Sequence, residues 1–295
     1  MSFCRPKTER HLVAVIDAPG DEIRWLDFAP NRLYSARGMA QRDGSLHIAG
    51  IAAEGSALAV FDTQSWVLRD FSVVEGLADV HSVSLDGNAI IAASTGSDEI
   101  VRITHNGVAH AIETLWAPSV EHVDTHHVNS VAFHQGDLFC CAFGPKAGER
   151  WKSARNGYLY NITRNKNVAA GLYQPHSIAS QADELYLCES ARSEVCAIRP
   201  SGSVAHGGIR IVTQPGAGYT RGLAVANRQT LIVGESVGRK DATDRTVLNW
   251  DEPGEPLGKC ATHLHHLDAS GAEEKCEIAD FSGVALEIYD ILLFE

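Results

Sequence analysis

Six polar residues recur through the chain at nearly regular spacing, and their side chains are of kinds that bind metals, hold anions or move protons. The first five lie 44 to 48 residues apart, and each precedes a small residue, an apolar residue and a small or polar residue. The sixth follows after a longer gap. The six are Arg37, His81, Asn129, His176, Arg221 and Glu287. Their spacing predicts that each occupies the same place in a repeated unit.

The histidines of this set favour a metal site. His127 lies two residues before Asn129 and is expected to share its strand face. We therefore predict that His81, His127 and His176 hold a divalent transition metal (Zn, Fe or Mn), with Asn129 as an oxygen ligand. Asp79 is placed to orient the His81 imidazole. Two alternatives stay open: a metal-free polar site, and histidines that bond to one another and to channel water.

The charged members of the set favour an anionic substrate. Arg37 and Arg221 offer guanidinium groups that bind a carboxylate or phosphate through paired hydrogen bonds. Glu287 is expected near them as a general acid or base, or as the oxygen ligand of the metal. In the alternative interpretation, the three side chains form a buried ion triad that only closes the structure.

The elements that must position these residues are short strands. Each of the first five motifs is followed by a polar turn and then by segments rich in β-forming residues. No long segment has helical periodicity. A repeat of 44 to 48 residues is typical of a four-stranded propeller blade. We predict a single all-β domain over residues 1–295: a six-bladed β-propeller whose first strands line a central channel.

Two segments depart from the regular repeat. Blade five is expected to contain an inserted polar loop over Gly238 to Gly258, which explains the long gap before Glu287. Residues 12–17 and 22–28 are predicted to supply two strands of the last blade, with the strand at Glu287–Asp290 from the C-terminus. This pairing closes the ring and removes two sheet edges. The remaining strand of that blade comes from residues 1–10, or the blade has only three strands.

Composition excludes several classes of partner. The chain carries 37 acidic against 25 basic residues, a net charge of −12, so nucleic acid and anionic membrane are not expected partners. No apolar run is long enough to span a bilayer, and the N-terminal residues lack the apolar stretch of a signal peptide. We therefore expect a cytoplasmic protein. Seven irregularly spaced cysteines favour reduced thiols.

The arrangement resembles the gluconolactonase and senescence-marker class of six-bladed propellers. The resemblance lies in the fold and in a Glu and an Asn among the channel residues, here Glu287 and Asn129. It implies one divalent metal in the channel. The chain departs from that class at His81 and His176, because the class uses carboxylate and Asn ligands. Oligogalacturonate lyase, a propeller with a histidine-bound manganese, is similar in chemistry only.

A second resemblance is carried by three phrases and covers the chain from about residue 30 to its end. The phrases are residues 126–133 (HHVNSVAF), residues 174–177 (QPHS) and residues 287–290 (EIYD). They look like an uncharacterised bacterial family of predicted propellers, and this resemblance implies a fold but no reaction.

Together these observations favour a metal-dependent enzyme that acts on a small anionic molecule in the central channel. Hydrolysis is the first expectation, with lyase or isomerase chemistry on the same site as the alternative. The competing hypothesis from another class is a non-catalytic propeller that binds a ligand or a protein.

Overall fold

The computed structural model describes most of the chain. The described residues are 1–4, 6–8, 10–16, 22–105, 109–146, 148, 151, 154–200, 209–213, 218–237, 258–268 and 273–294. The predicted insertion after the second strand of blade five lies outside these residues except for Gly258. Within the described parts of the chain, no helix is long and apolar enough to cross a membrane.

The described elements are almost entirely strands. Three short ones come first: β1 (Ser2–Phe3), β2 (Ala14–Ile16) and β3 (Ile23–Trp25). The first four-stranded antiparallel sheet contains β4 (Ser35–Arg42), β5 (Ser45–Ala52), β6 (Gly55–Asp62) and β7 (Leu68–Val73). The second contains β8 (Val80–Asp86), β9 (Ala89–Ser94), β10 (Glu99–His105) and β11 (His110–Trp116). The third sheet contains β12 (Val128–His134), β13 (Asp137–Ala142), β14 (Gly157–Asn161) and β15 (Lys166–Leu172).

Two further sheets and one strand complete the order. The fourth sheet contains β16 (Pro175–Gln181), β17 (Glu184–Glu189), β18 (Glu194–Ile198) and β19 (Ile209–Ile211). The fifth contains β20 (Tyr219–Asn227), β21 (Thr230–Ser236), β22 (Ala261–Leu267) and β23 (Glu273–Asp280), and the last strand is β24 (Ile288–Asp290). Each four-stranded sheet is a meander in sequence order, so the all-β propeller prediction is confirmed.

The first strands of the five sheets contact one another in turn, from β4 through β8, β12 and β16 to β20. Strand β24 contacts both β20 and β4, so six strands surround the centre of the molecule. The described residues form five four-stranded blades, where the sequence predicted five and a composite sixth. The remaining strands form two separate two-stranded sheets, because the terminal segments are too short to build a full meander.

The two chain termini are joined by backbone pairing. Strand β24 pairs antiparallel with β1, matching Ser2 with Asp290 and Phe3 with Ile288. Ser2 also bridges Val13, and β2 pairs with β3. Residues 2–3 therefore supply the strand that the sequence left unplaced.

A β-bulge interrupts the inner strand of all five four-stranded blades at the same point. The pairing with the second strand shifts at the position where the sequence motif begins, and the extra residue bends the strand and redirects its side chain. The shifts fall at Ala36/Met39, Val80/Ser82, Val128/Ser130, His176/Ala179 and Thr220/Leu223. The repeated motif therefore encodes a bulge, which is why a polar residue can leave the sheet there.

Small residues after each bulge tie adjacent blades together. The hydroxyls of Ser82, Ser130 and Ser177 each accept a hydrogen bond from a backbone N–H of the following blade. Gly38 takes the equivalent place in the first blade, where a Cβ atom would lie 2.6 Å from the Cα of Ser82. The small residue of the motif is thus explained by close packing between inner strands.

The seven cysteines are all unpaired. Cys140 and Cys141 are fully buried and lie in different hydrophobic clusters, one on each face of β13. Their side chains act as small apolar groups of the core, as adjacent residues of a buried strand must.

Candidate functional site

The structure places the six predicted residues at the same end of the inner strands; we call them the ring residues. Five lie within the first three positions of their strands, and Glu287 immediately precedes β24. Arg37 is partly buried and the other five are buried. Polar side chains from every blade therefore meet around one end of the channel.

His176 is held in one tautomer. Its Nδ1 lies 2.9 Å from the backbone oxygen of Gln174 and 2.8 Å from Oγ of Ser190. Because the Ser190 hydroxyl donates to the backbone oxygen of Thr220, it accepts from His176, so Nδ1 carries the proton. The Nε2 atom is buried and has no hydrogen-bond partner. Burial and the neighbouring Arg221 charge hold the pKa of His176 well below its usual value.

His81 is held in the same way by a carboxylate. Its Nε2 lies 3.2 Å from Oδ2 of Asp79, as expected for an orienting partner, so Nε2 donates and Nδ1 is the basic nitrogen. Nδ1 is buried without a hydrogen-bond partner. Burial, with the Arg37 charge, keeps the pKa of His81 well below its usual value, so the imidazole is neutral at pH 7.

His127 lies beside His81 but not beside His176. The His127 and His81 ring centroids are 5.0 Å apart, whereas Phe143 packs against both His127 and His176, at 4.4 and 5.1 Å. His127 Nδ1 contacts Asp124, which also accepts from the indole N–H of Trp151. The described residues contain no group of three His, Cys, Asp or Glu side chains placed to hold one ion.

Three of the six residues that lie two positions before a ring residue adopt a rare backbone conformation. Asp79, His127 and Gln174 have φ values of 48°, 55° and 52°, in the left-handed region that non-glycine residues seldom occupy. Such strain persists only where the surroundings fix it, and it clusters at functional sites. It turns the Asp79 and His127 side chains toward the same imidazole, His81.

The charged ring residues form two ion pairs, and not the single triad of the alternative interpretation. Arg221 Nη1 lies 3.0 Å from Oε2 of Glu287, and the thiol of Cys4 donates to the same oxygen at 3.0 Å. Arg37 Nη1 instead lies 2.7 Å from Oδ1 of Asp79, a residue predicted only as a partner of His81. Asp79 therefore links the arginine and histidine sides of the ring.

Tyr289 is the central residue that the sequence argument missed. The guanidinium carbons of Arg37 and Arg221 lie 5.8 and 5.3 Å from its ring centroid, and the His81 ring lies 5.4 Å away. Burial raises the pKa of Tyr289, so the phenol keeps its proton. Its position two residues after Glu287 is normally apolar in the repeat, and that exception was the available signal.

Five buried polar atoms of this layer have no hydrogen-bond partner among the described residues. Buried polar groups in native proteins are almost always paired, so a cluster of exceptions needs a cause. The atoms are Nδ1 of His81, Nδ2 of Asn129, Nε2 of His176, Nε of Arg221 and the hydroxyl of Tyr289. Two of them are lone-pair nitrogens and two are N–H donors.

A cavity of about 280 Å³ lies along the channel next to this layer. Its wall includes His81, Asn129 and Tyr289, and continues along the inner strands past Ser130 and Asp290. Among the ring residues, only His81 and Asn129 line it.

Asp290 in the cavity wall is expected to make stability depend on pH. Burial raises its pKa to about 7, while both oxygens accept backbone N–H bonds. The native state thus keeps a proton that the unfolded chain releases near pH 4. Stability should fall as pH rises from 4 to 7, by up to about 1.4 kcal/mol per pH unit. Urea unfolding of wild type and Asp290→Asn across this range should diverge; parallel curves would contradict the assignment.

Comparison with protein families gives one assignment. The family model described as Domain of unknown function (DUF4915) matches residues 26–295. The chain belongs to this family. The DUF4915 match includes five ring residues with their blades and, at the C-terminus, Glu287 with β24. A comparison with curated proteins found no match.

Solved structures similar to this DUF4915 chain share its fold at low sequence identity. A candidate 6-phosphogluconolactonase from Bacteroides fragilis is 13% identical, with a TM-score of 0.57 over 92% of this chain and 79% of that chain. A nidogen/laminin complex is 11% identical, with a TM-score of 0.57 over 86% and 83%. The β-propeller domain of Cps50 (Swd1) from Myceliophteria thermophila is 11% identical, with a TM-score of 0.52 over 95% and 87%. At such identity the likeness establishes a β-propeller and no activity.

Proposed function

We propose that this protein is a metal-dependent enzyme that acts on a small anionic molecule at the ring. The observation that carries the proposal is the pair of buried, neutral imidazoles, His81 and His176, each with one nitrogen held by a protein acceptor and the other without a partner. A buried lone pair without a partner costs stability unless something binds it.

The chemistry of the donor atoms suits a divalent transition metal, although the described residues do not place three such side chains around one point. Metal-binding histidines almost always donate their second N–H to a carboxylate or a backbone carbonyl, as His81 does to Asp79 and His176 to Gln174. Imidazole nitrogens suit Zn, Fe and Mn. His127 is the third candidate, because its bond to Asp124 leaves Nε2 as the basic nitrogen. A metal held by these residues would activate water or polarise a carbonyl group.

The remaining ring residues supply charge and proton transfer. Arg37 and Arg221 provide the positive potential that attracts the acidic group of the substrate in a protein of otherwise negative charge. Glu287, paired with Arg221 and Cys4, is the candidate general acid or base. Hydrolysis is the reaction we favour, and lyase or isomerase chemistry on the same site is the alternative. The candidate lactonase among the similar propellers is compatible with this choice.

The decisive experiment measures metal in protein purified without a His-tag. We expect near-stoichiometric Zn, Fe or Mn in wild type and its loss in His81→Ala and His176→Ala, with unchanged circular dichroism. His266→Ala, at an exposed histidine of β22, is the matched control and should keep the metal. Metal-free wild type whose melting temperature does not respond to any of the three ions would refute the proposal. A panel of lactones, esters and sugar acids then tests turnover.

A non-catalytic propeller that binds a ligand or a protein is the second candidate. Two observations favour it: no three-residue metal cluster occurs in the described parts of the chain, and a similar propeller comes from a nidogen/laminin complex. Absence of both metal and turnover would support it.

The proposal also includes a composite sixth blade, the cellular location of the protein and its partners. We take β24, β1, β2 and β3 as a composite sixth blade, because backbone bonds join β24 to β1 and β1 to the chain at Val13. Slow hydrogen exchange at the amides of Phe3 and Ala14 is expected if this blade is stable. We place the protein in the cytoplasm, with a small anion and neither nucleic acid nor membrane as its partner.

A further inference from the structure

We propose that Asn129 and Tyr289 form a pair of hydrogen-bond donors that holds a carbonyl or carboxylate oxygen of the ligand at the cavity. This inference rests on the proposed function of the ring as a binding site and specifies what the site recognises. It assigns the ligand to the small carboxylates and carbonyl compounds.

A ligand in the cavity can contact only those residues that line its wall. Its wall includes His81, Asn129 and Tyr289, but not His176, Arg221 or Glu287. A molecule in the channel therefore approaches the site beside Asn129 and Tyr289. Arg37 and Arg221, predicted from the sequence to orient the substrate, are not part of the cavity wall and lie near the Tyr289 ring.

Both proposed donors are buried and lack a hydrogen-bond partner. Asn129 is 2% exposed and Tyr289 is 6% exposed, and the Nδ2 and hydroxyl groups are both unpaired. They come from β12 and β24, which belong to different parts of the ring. Unpaired donors in the wall of one cavity are suited to binding an oxygen that carries negative charge.

The other polar groups of the cavity wall are already engaged. Ser130 accepts from the backbone N–H of Ile178, and Ser177 accepts from that of Gly222. Ser180 bonds to His134, and the oxygens of Asp290 accept two backbone N–H groups. Among the described residues of the wall, only His81, Asn129 and Tyr289 have a buried side-chain atom with no hydrogen-bond partner, and all three lie at the ring end of the cavity.

The arginines act on this pair through Tyr289. Arg37 and Arg221 both lie over its ring and are each paired with a carboxylate, Asp79 and Glu287. Two positive charges near the phenol polarise its O–H bond and strengthen it as a donor. The two arginines are thus positioning residues for the ligand, which they attract without touching.

The test uses acetate as the probe and protein labelled with ¹³C at the ζ carbon of tyrosine. We expect the Tyr289 resonance, assigned by its loss in Tyr289→Phe, to move saturably with acetate at constant ionic strength. Asn129→Ala should weaken acetate binding by about 10- to 100-fold, the loss of one hydrogen bond to a charged group. Asn129→Asp, which keeps the size of the side chain but replaces the donor, should give at least the same loss.

A matched tyrosine control separates a ligand donor from a structural one. Tyr186 is fully buried and its hydroxyl donates to Glu184, so Tyr186→Phe should lower the melting temperature. Tyr289→Phe removes a hydroxyl without a partner and should leave the melting temperature unchanged or raise it.

Three results would overturn the inference: a Tyr289 resonance that ignores acetate, Asn129 variants that bind acetate as wild type does, or a Tyr289→Phe variant as unstable as Tyr186→Phe. Wild type that contains no metal as purified, does not respond to added Zn, Fe or Mn, and still binds acetate through Tyr289 would refute only the metal-dependent function. Metal-loaded protein without an acetate response would refute only this inference.

Discussion

Replacing Glu287 with alanine is expected to lower the free energy of unfolding by about 3–5 kcal/mol, because it leaves the Arg221 guanidinium buried without its carboxylate. Glu287 is 2% exposed and Arg221 is 8% exposed, so water cannot replace the lost partner at low cost. Glu287→Gln, which keeps the shape but removes the charge, should cost somewhat less. Urea unfolding at pH 7 measures both changes.

Two further variants test the cause of this loss. Arg228 and Asp183 form an exposed ion pair, so Arg228→Ala should change stability by no more than about 1 kcal/mol. The double variant Arg221→Met/Glu287→Leu removes both buried charges and should recover most of the stability lost in Glu287→Ala. Equal effects of Glu287→Ala and Arg228→Ala, or no recovery in the double variant, would contradict the view that an uncompensated buried charge is responsible.

The placement of the ring residues could be predicted from sequence because it follows from repetition. A fixed interval fixes the same strand position in each blade, so residues as distant as Arg37 and Arg221 were correctly assigned to equivalent inner strands. The small residue after each was also visible, although its cause, contact with the next inner strand, emerges only in three dimensions.

The pairing of side chains within the ring could not be predicted in this way. Repetition fixes where a strand begins but not which rotamer its polar residue adopts, so the contact of Arg37 with Asp79 could not be predicted. Phe143, from the end of a second strand, packs against both His127 and His176, and no pattern in the inner strands signals it. Strands occur at residues 14–16, 23–25 and 288–290, close to where the sequence predicted them, but they belong to two separate two-stranded sheets instead of one blade.

Replacing Asp98 is expected to have the second large effect, and it connects stability to the site. Asp98 is 1% exposed and follows a short 3₁₀ turn, Thr95–Ser97, between β9 and β10. Its carboxylate accepts backbone N–H bonds from Thr125, His126 and Val128, at 2.6, 2.6 and 3.1 Å. These donors surround His127, so one buried carboxylate fixes the backbone that carries this imidazole.

We expect Asp98→Gly to lower the free energy of unfolding by about 3 kcal/mol or more, because several N–H groups lose a charged acceptor at once. Glycine is the suitable probe, since Asp98 has a φ of 53° and alanine would add backbone strain. Asp98→Asn keeps one acceptor oxygen and should cost less. If Asp98 positions the site, Asp98→Gly should also release His127 from Asp124, seen as a shift of its ¹⁵N imidazole resonances, whereas those of His176 should not move. A stable variant with unchanged His127 resonances would show that the loop holds its shape without this carboxylate.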